Sequence, residues 1–325
     1  MPAPDARTDA SPALEISGYR KSYPVGFLHR LRRLALADLS LTVFRGEIFG
    51  YLGPNGSGKT TTLKLLMRII YPDAGTARIL GHADTDRAWR YRVGYLPEHP
   101  YLYDYLTAQE YLDYVGRLFG MPRAARRQRA EEVLERVGLA RSRHLSLRRF
   151  SKGMVQRAGL AQALMNDPEL VILDEPMSGL DPIGRRLVRD VILEMKSRGK
   201  TVLFSTHILP DAEALCDRVA VLSAGRLLRL GRLDEILQMD VSHFEVLVSG
   251  LDESARAQLP AGTAAHAVGE RWRLEVPEAH LGSVLRFLDQ RRCRLLAVQP
   301  VRQSLEDYFF KEMASAGKGP WTLED

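Results

Sequence analysis

Cysteine is scarce in this sequence: Cys216 and Cys293 are the only two in 325 residues. Two thiols without metal-ligand spacing exclude a disulfide framework and a thiolate metal site, and they suit a reducing, cytoplasmic setting. Long hydrophobic runs are missing too. No stretch reaches the roughly 18 uninterrupted apolar residues that a membrane-spanning helix requires, so contact with a membrane is expected only through another molecule. Residues 1–13 are small, polar and proline-rich without an apolar core, which excludes a secretory signal and reads as a loose tail. Residues 316–325 read the same way. There is no internal repeat and no low-complexity tract beyond these ends.

What remains has the composition of a folded globular protein, 45% hydrophobic and 26% charged, long enough for one large domain and one small one. The net charge of +6 comes from arginine-rich stretches, Arg30 to Arg33 and Arg123 to Arg129 among them. Such a balance suits nucleic acid or an acidic lipid surface, but short basic runs more commonly form a solvated face, and that is the reading adopted.

Along the chain, alternation between Leu14 and Phe44 predicts half-buried strands, and Glu47 to Leu52 predicts a short apolar strand running into a glycine-rich turn. Leu63, Leu66, Met67 and Ile70 then predict a helix over 60–70. Strands are expected at 76–80 and 92–96. A helix-rich stretch follows over about 99–165, broken at Gly120-Met121-Pro122 and at Gly138. Two apolar strands, Leu170 to Leu173 and Thr201 to Ser205, flank a helix from Pro182 to Arg198, which implies parallel pairing with helices on the sheet. A hairpin turning at Ala224-Gly225 closes this domain near residue 235. A small α+β domain is expected over 240–315, with strands at 244–248, 272–276 and 295–298 and a helix carrying Leu281, Val284, Leu285 and Leu288.

The chemistry is concentrated in two motifs. Gly53-Pro54-Asn55-Gly56-Ser57-Gly58-Lys59-Thr60, between a strand and a helix, fits a phosphate loop, with Thr61 as a further binding position. Its glycines let backbone N–H groups face phosphate oxygens at a helix N-terminus, Lys59 reaches the β and γ phosphates, and the Thr60 hydroxyl suits Mg²⁺. Leu170 to Leu173 ends in Asp174-Glu175. A buried strand ending in acids brings a metal-side carboxylate, Asp174, to a phosphate loop, and Glu175 becomes the candidate general base for hydrolysis. These motifs establish a nucleoside triphosphatase. The absence of an Asn-Lys-x-Asp guanine-reading stretch favours ATP.

Further residues carry a family resemblance. Phe150-Ser151-Lys152-Gly153-Met154 resembles the signature motif of ABC cassettes, keeping Ser151 and Gly153 but departing at Phe150, Lys152 and Met154. Ser178-Gly179-Leu180-Asp181 resembles the D-loop, with Met177 where Thr is common. His207 resembles the switch histidine, and Glu98 stands in the Q-loop position in place of Gln. Tyr23 matches the aromatic position that stacks on adenine, although an aromatic in a first strand, like neighbouring Tyr19, is often core.

The resemblance runs from about Leu14 to Gly231, and the fold it implies is an α/β P-loop NTPase cassette with a mixed sheet and a helical subdomain. It assigns Lys59, Glu98, Glu175 and His207 to catalysis. Tyr23, the loop 53–61, Ser151, Gly153 and Asp181 are assigned to ATP, and Thr60, Glu98 and Asp174 to Mg²⁺. It also implies a dimer, with a second copy or a related cassette, beneath a separate integral-membrane permease on the cytoplasmic face. The chain end around Val301 to Phe309 resembles the C-terminal extension of exporter-type members. Nucleic acid is not expected as a partner. The alternatives are a soluble ABC ATPase acting on nucleic acid or the ribosome, and an importer ATPase with a regulatory C-terminal domain.

Overall fold

A computed structural model describes residues 11–25, 31–237, 241–269 and 271–302. Most of the expected N-terminal tail, Arg30, the chain from Gln303 through the Leu305–Phe309 run, and the tail at 316–325 lie outside the described residues. Contacts divide the chain after Leu233 into two compact units. Among the described residues, no helix is long and apolar enough to cross a membrane.

The first unit opens with a long hairpin, β1 (Pro12–Val25) and β2 (Leu31–Phe44), followed by β3 (Ile48–Leu52) and α1 (Lys59–Leu66). Pro12 is already paired with Phe44, so the sheet begins inside the stretch expected to be a tail. Helix α1 also stops short of Ile70, because Arg68 takes a left-handed φ of 55° and turns the chain. Its guanidinium is held there by Asp84 at 2.9 Å. Next come β4 (Ala74–Ile79), β5 (His82–Ala83) and β6 (Val93–Leu96). The helical stretch consists of α2 (Ala108–Leu118), α3 (Arg123–Arg136) and α4 (Lys152–Leu164). Strand β7 (Leu170–Asp174), α5 (Pro182–Ser197), β8 (Thr201–Thr206), α6 (Leu209–Leu215), β9 (Arg218–Ser223) and β10 (Arg226–Arg232) complete the unit.

These strands form a four-stranded antiparallel sheet, β2-β1-β4-β5, and a six-stranded mixed sheet, β10-β9-β3-β8-β7-β6, in which only β10 runs antiparallel. The mixed sheet is covered on both faces. Leu170, Ile172 and Leu203 join one apolar cluster with Tyr19, Val43, Tyr51, Leu63 and Leu66. Val171, Leu173, Val202 and Phe204 join another with Leu112, Val133, Leu160 and Ile192 from the helices. A strand buried on both faces needs apolar residues at every position, which is why β7 and β8 read as unbroken runs.

Register places the functional ends together. Leu52 lies beside Thr206, Ser205 beside Asp174, and Leu173 beside Leu96. The residues that follow each strand therefore emerge along one rim, the carboxyl edge where open α/β sheets bind ligands.

The second unit is read by itself. Helix α7 (Leu233–Leu237) spans the division, and β11 (Val241–Ser249), α8 (Glu253–Arg256), β12 (Ala264–Val268), β13 (Arg271–Val276), α9 (Leu281–Gln290) and β14 (Arg294–Arg302) follow. The sheet order β12-β13-β11-β14, antiparallel throughout, is a split βαβ arrangement. Its core holds Val246, Val248, Leu274, Val276, Val284 and Leu288.

The edge of the mixed sheet opposite the rim is clamped by Glu169. Its carboxylate takes Arg92 Nε at 2.5 Å and Nη2 at 2.7 Å, and Arg45 Nη1 at 3.1 Å. The three residues lead into β7, β6 and β3. The paired guanidiniums hold the Glu169 carboxyl down from 4.5 to about 2. A carboxylate with a depressed folded value stabilises above its unfolded value and loses that contribution as pH falls. Glu169→Gln is thus expected to lower the urea midpoint at pH 7. Its gap from the parent protein should close as pH drops from about 4.5 to about 2; a gap independent of pH would refute the clamp.

Candidate functional site

Strand β3 ends at Leu52 and the chain wraps into the loop 53–58 before α1 begins. Close approach dictates the glycines. A Cβ on Gly53 would sit 2.5 Å from Leu222 O and 2.6 Å from Ser57 Oγ, and one on Gly58, at φ 107°, 2.7 Å from Ala35 O. The loop is braced from outside by the β9–β10 turn. Gly225 N–H donates to Ser57 O at 3.0 Å, and Ala37 N–H donates to Gly225 O at 2.8 Å. Gly225 has φ 74°, and a Cβ there would lie 2.5 Å from Ala35 O.

Lys59 is 6% exposed. Its ammonium donates to Gly53 O at 2.6 Å and to Pro54 O at 3.2 Å, and lies 3.4 Å from Glu175 Oε1. A buried cation is tolerated only where acceptors surround it, and here the loop's own carbonyls and one carboxylate do so. Glu175 Oε2 lies 3.0 Å from His207 Nδ1, which stands just past β8. Lys59, Glu175 and His207 thus form a row across the ends of three strands.

Ser205 organises the two acids. Its hydroxyl donates to Asp174 Oδ1 at 2.6 Å and accepts from Glu175 N–H at 3.0 Å. Burial pushes the Asp174 carboxyl up. The hydroxyls of Ser205 and Thr60 oppose that rise, while the charges of Glu98 and Glu175 reinforce it. Asp174 Oδ2 is buried and has no hydrogen-bond partner. Glu175 itself sits at a left-handed φ of 49°, unusual for a residue with a side chain.

A cavity of about 450 Å³ opens on this rim, lined by Tyr23, Arg33, Asn55, Lys59, Glu98 and Glu175 among others. Gly56, Gly58, Thr60 and Thr61 also line it, whereas Gly53, Pro54 and Ser57 form the loop behind. Tyr23 is 37% exposed, while Tyr19 is fully buried with its hydroxyl on Asp84 at 2.6 Å. Of the two tyrosines, Tyr23 is the one available to a ligand.

Ser151, Gly153 and Asp181 do not line the cavity. Ser151 caps α4, accepting from Met154 N–H at 3.3 Å, and Asp181 caps α5, accepting from Gly184 N–H at 2.7 Å. Lys152 lies along Gly179: a Cβ there would be 3.1 Å from its Cε. Motif reading missed Ser205, which holds both acids, and the bracing role of Gly225, which it took only as a hairpin turn; the partners of both are distant in sequence.

The family profile described as ABC transporter matches residues 36–178. An ABC transporter ATP-binding protein of Synechocystis is 44% identical over 299 residues, 91% of this chain and 83% of that protein. Nod factor export ATP-binding protein I of Ralstonia nicotianae is 37% identical over 265 residues, 80% of each chain. A dimeric ATP-binding cassette in a post-hydrolysis state with ADP and Pi superposes with a TM-score of 0.63. It is 27% identical, covering 68% of this chain and 98% of that one.

Gly225→Ala is expected to lower the melting temperature and weaken binding of a fluescent ATP analogue together, because the added Cβ displaces the brace of the loop. Ser205→Ala leaves the Asp174 carboxylate and the Glu175 N–H without this partner, at about 1–3 kcal/mol each. It should reduce turnover while the same analogue still binds. Parent-like turnover in Ser205→Ala would remove the serine from the site.

Proposed function

The chain belongs to the ABC transporter ATP-binding proteins, and from that premise we propose that it powers an exporter as one of two cassettes beneath a separate membrane permease. As an ATP-binding subunit it is an ATPase. The observation that carries the catalytic reading is the row Lys59–Glu175–His207, whose first two members line a cavity together with Tyr23 and Glu98. Tyr23 stacks on adenine, the loop 53–61 takes the phosphates, and Lys59 leaves its carbonyl partners for the β and γ oxygens. Glu175 orients a water against the γ phosphate and accepts its proton. His207, bonded to Glu175, keeps that carboxylate aimed at the phosphate.

Thr60, Asp174 and Glu98 would hold Mg²⁺. Their all-oxygen donor set suits a hard cation, and the unpartnered, buried Asp174 Oδ2 is a ready ligand. Among the described residues, no group of three or more His, Cys, Asp or Glu could hold a metal unaided. The ion would therefore lean on phosphate oxygens as well, and its charge offsets theirs when bound.

Ser151, Gly153 and Asp181 face a different task. Capped helix starts outside the cavity suit contact with the nucleotide of a second cassette, so that two chains would enclose two ATP molecules. The dimeric cassette similar to this chain supports that arrangement. Export is supported by the relative named for Nod factor export.

Glu175→Gln should lose turnover by about 10²–10⁴ while ATP binding survives, as removal of a general base does. Lys59→Ala should instead weaken binding itself. Near-parental turnover in both variants would refute the assignments. Affinity capture from detergent-solubilised membranes should recover a polytopic membrane protein at a similar amount; recovery of RNA or DNA without one would point to a soluble ATPase.

A further inference from the structure

The first turn of α4 lies along the chain that follows the catalytic acids. Three residues near the start of this helix touch that segment. The Lys152 side chain runs beside Gly179, and Gly153 approaches Leu180 so closely that a Cβ would lie 3.3 Å from its Cδ2. Gln156, four residues beyond Lys152 and buried, donates from Nε2 to the backbone oxygen of Glu175 at 3.4 Å. Spacing of i, i+1 and i+4 puts all three on one side of the helix.

Glu175 needs such support. A left-handed φ of 49° on a residue with a side chain persists only where its surroundings over-determine it. Three hydrogen bonds do so. Glu175 N–H donates to Ser205, and its carbonyl accepts from Gln156 and from Ser178 N–H at 3.1 Å. Ser205 belongs to β8 and Ser178 to the same turn. Of the three, only Gln156 belongs to the helical stretch.

We propose that Gln156 is a positioning residue that fixes the backbone of Glu175 and so makes ATP turnover depend on where the start of α4 lies. The inference rests on the reading of Glu175 as the hydrolytic base. Ser151, at the start of the same helix, is the group assigned to the second cassette's nucleotide. A small rotation of α4 on engaging that nucleotide shifts the carbonyl of Glu175 through Gln156, and with it the carboxylate that meets His207. Hydrolysis in one site thereby senses occupancy of the other through a side chain that touches neither nucleotide.

The test uses the full chain with Gln156→Met, which keeps the volume and removes the donor. Gln156→Glu, polar but without the amide donor, serves if the first variant does not fold. The expected result is a fall in kcat on the order of 10- to 100-fold, the scale of a small misplacement of a reacting group. Affinity for a fluorescent ATP analogue and the melting temperature should stay at parental values. The ring signals of His207, followed by NMR in histidine-labelled protein, should move, because they report the Glu175 carboxylate. Unchanged kcat with unmoved His207 signals overturns the proposal, as does a fall of kcat, affinity and melting temperature in step. If the parent protein itself hydrolyses nothing, that result counts against the proposed function, and the His207 signals alone then decide the role of Gln156.

Discussion

Much of this structure follows from the burial of one ammonium group. Lys59 can be desolvated only because Gly53 O, Pro54 O and the Glu175 carboxylate lie within reach of it. That requirement curls the loop back on itself, and the curl in turn admits only glycine where Gly53 and Gly58 meet neighbouring backbone. It also sets β7 near β3, with β8 between them, so that the acid ending one strand meets the lysine following another. The same lysine is thereby held at the rim by two carbonyls and one carboxylate. Its position is prepared before any nucleotide arrives.

The legible parts of the fold are those whose physics is local. Strands β7 and β8 read from their apolar runs because both faces are covered, and the phosphate loop reads because glycine spacing and an adjoining strand and helix are all short-range features. The helix expected over 60–70 outruns α1 because Met67 and Ile70 keep the periodicity while Arg68 breaks the backbone, a turn fixed by Asp84 sixteen residues on. In the second unit, β12 carries three alanines and is largely exposed, so it has no alternation to read. Helix α8 has only four residues and is marked mainly by its Asp252 cap.

The site divides along the same line. Asp174 and Glu175 are visible from strand chemistry, but the serine that binds both lies on β8, and the Gln156 that bonds the Glu175 carbonyl lies on α4. Ser151 and Asp181 are legible in the sequence as members of two motifs, and in the structure both are helix caps. His207 is marked in the sequence by its place in the motif series; what the series does not show is its contact with Glu175, which strand register, setting Ser205 beside Asp174, makes possible. Long-range pairing, not residue type, carries that part of the information.

The brace on the phosphate loop also bears on how the protein is made. Ser57 and the Gly225 that holds its carbonyl are far apart in the chain, although they are hydrogen-bonded in space. During synthesis at about 5–20 residues per second, the loop emerges on the order of ten seconds or more before the turn that steadies it. The nascent chain therefore spends that interval with the phosphate-binding motif complete in sequence yet unsupported in shape. The brace itself can form only once β9 and β10 have left the ribosome.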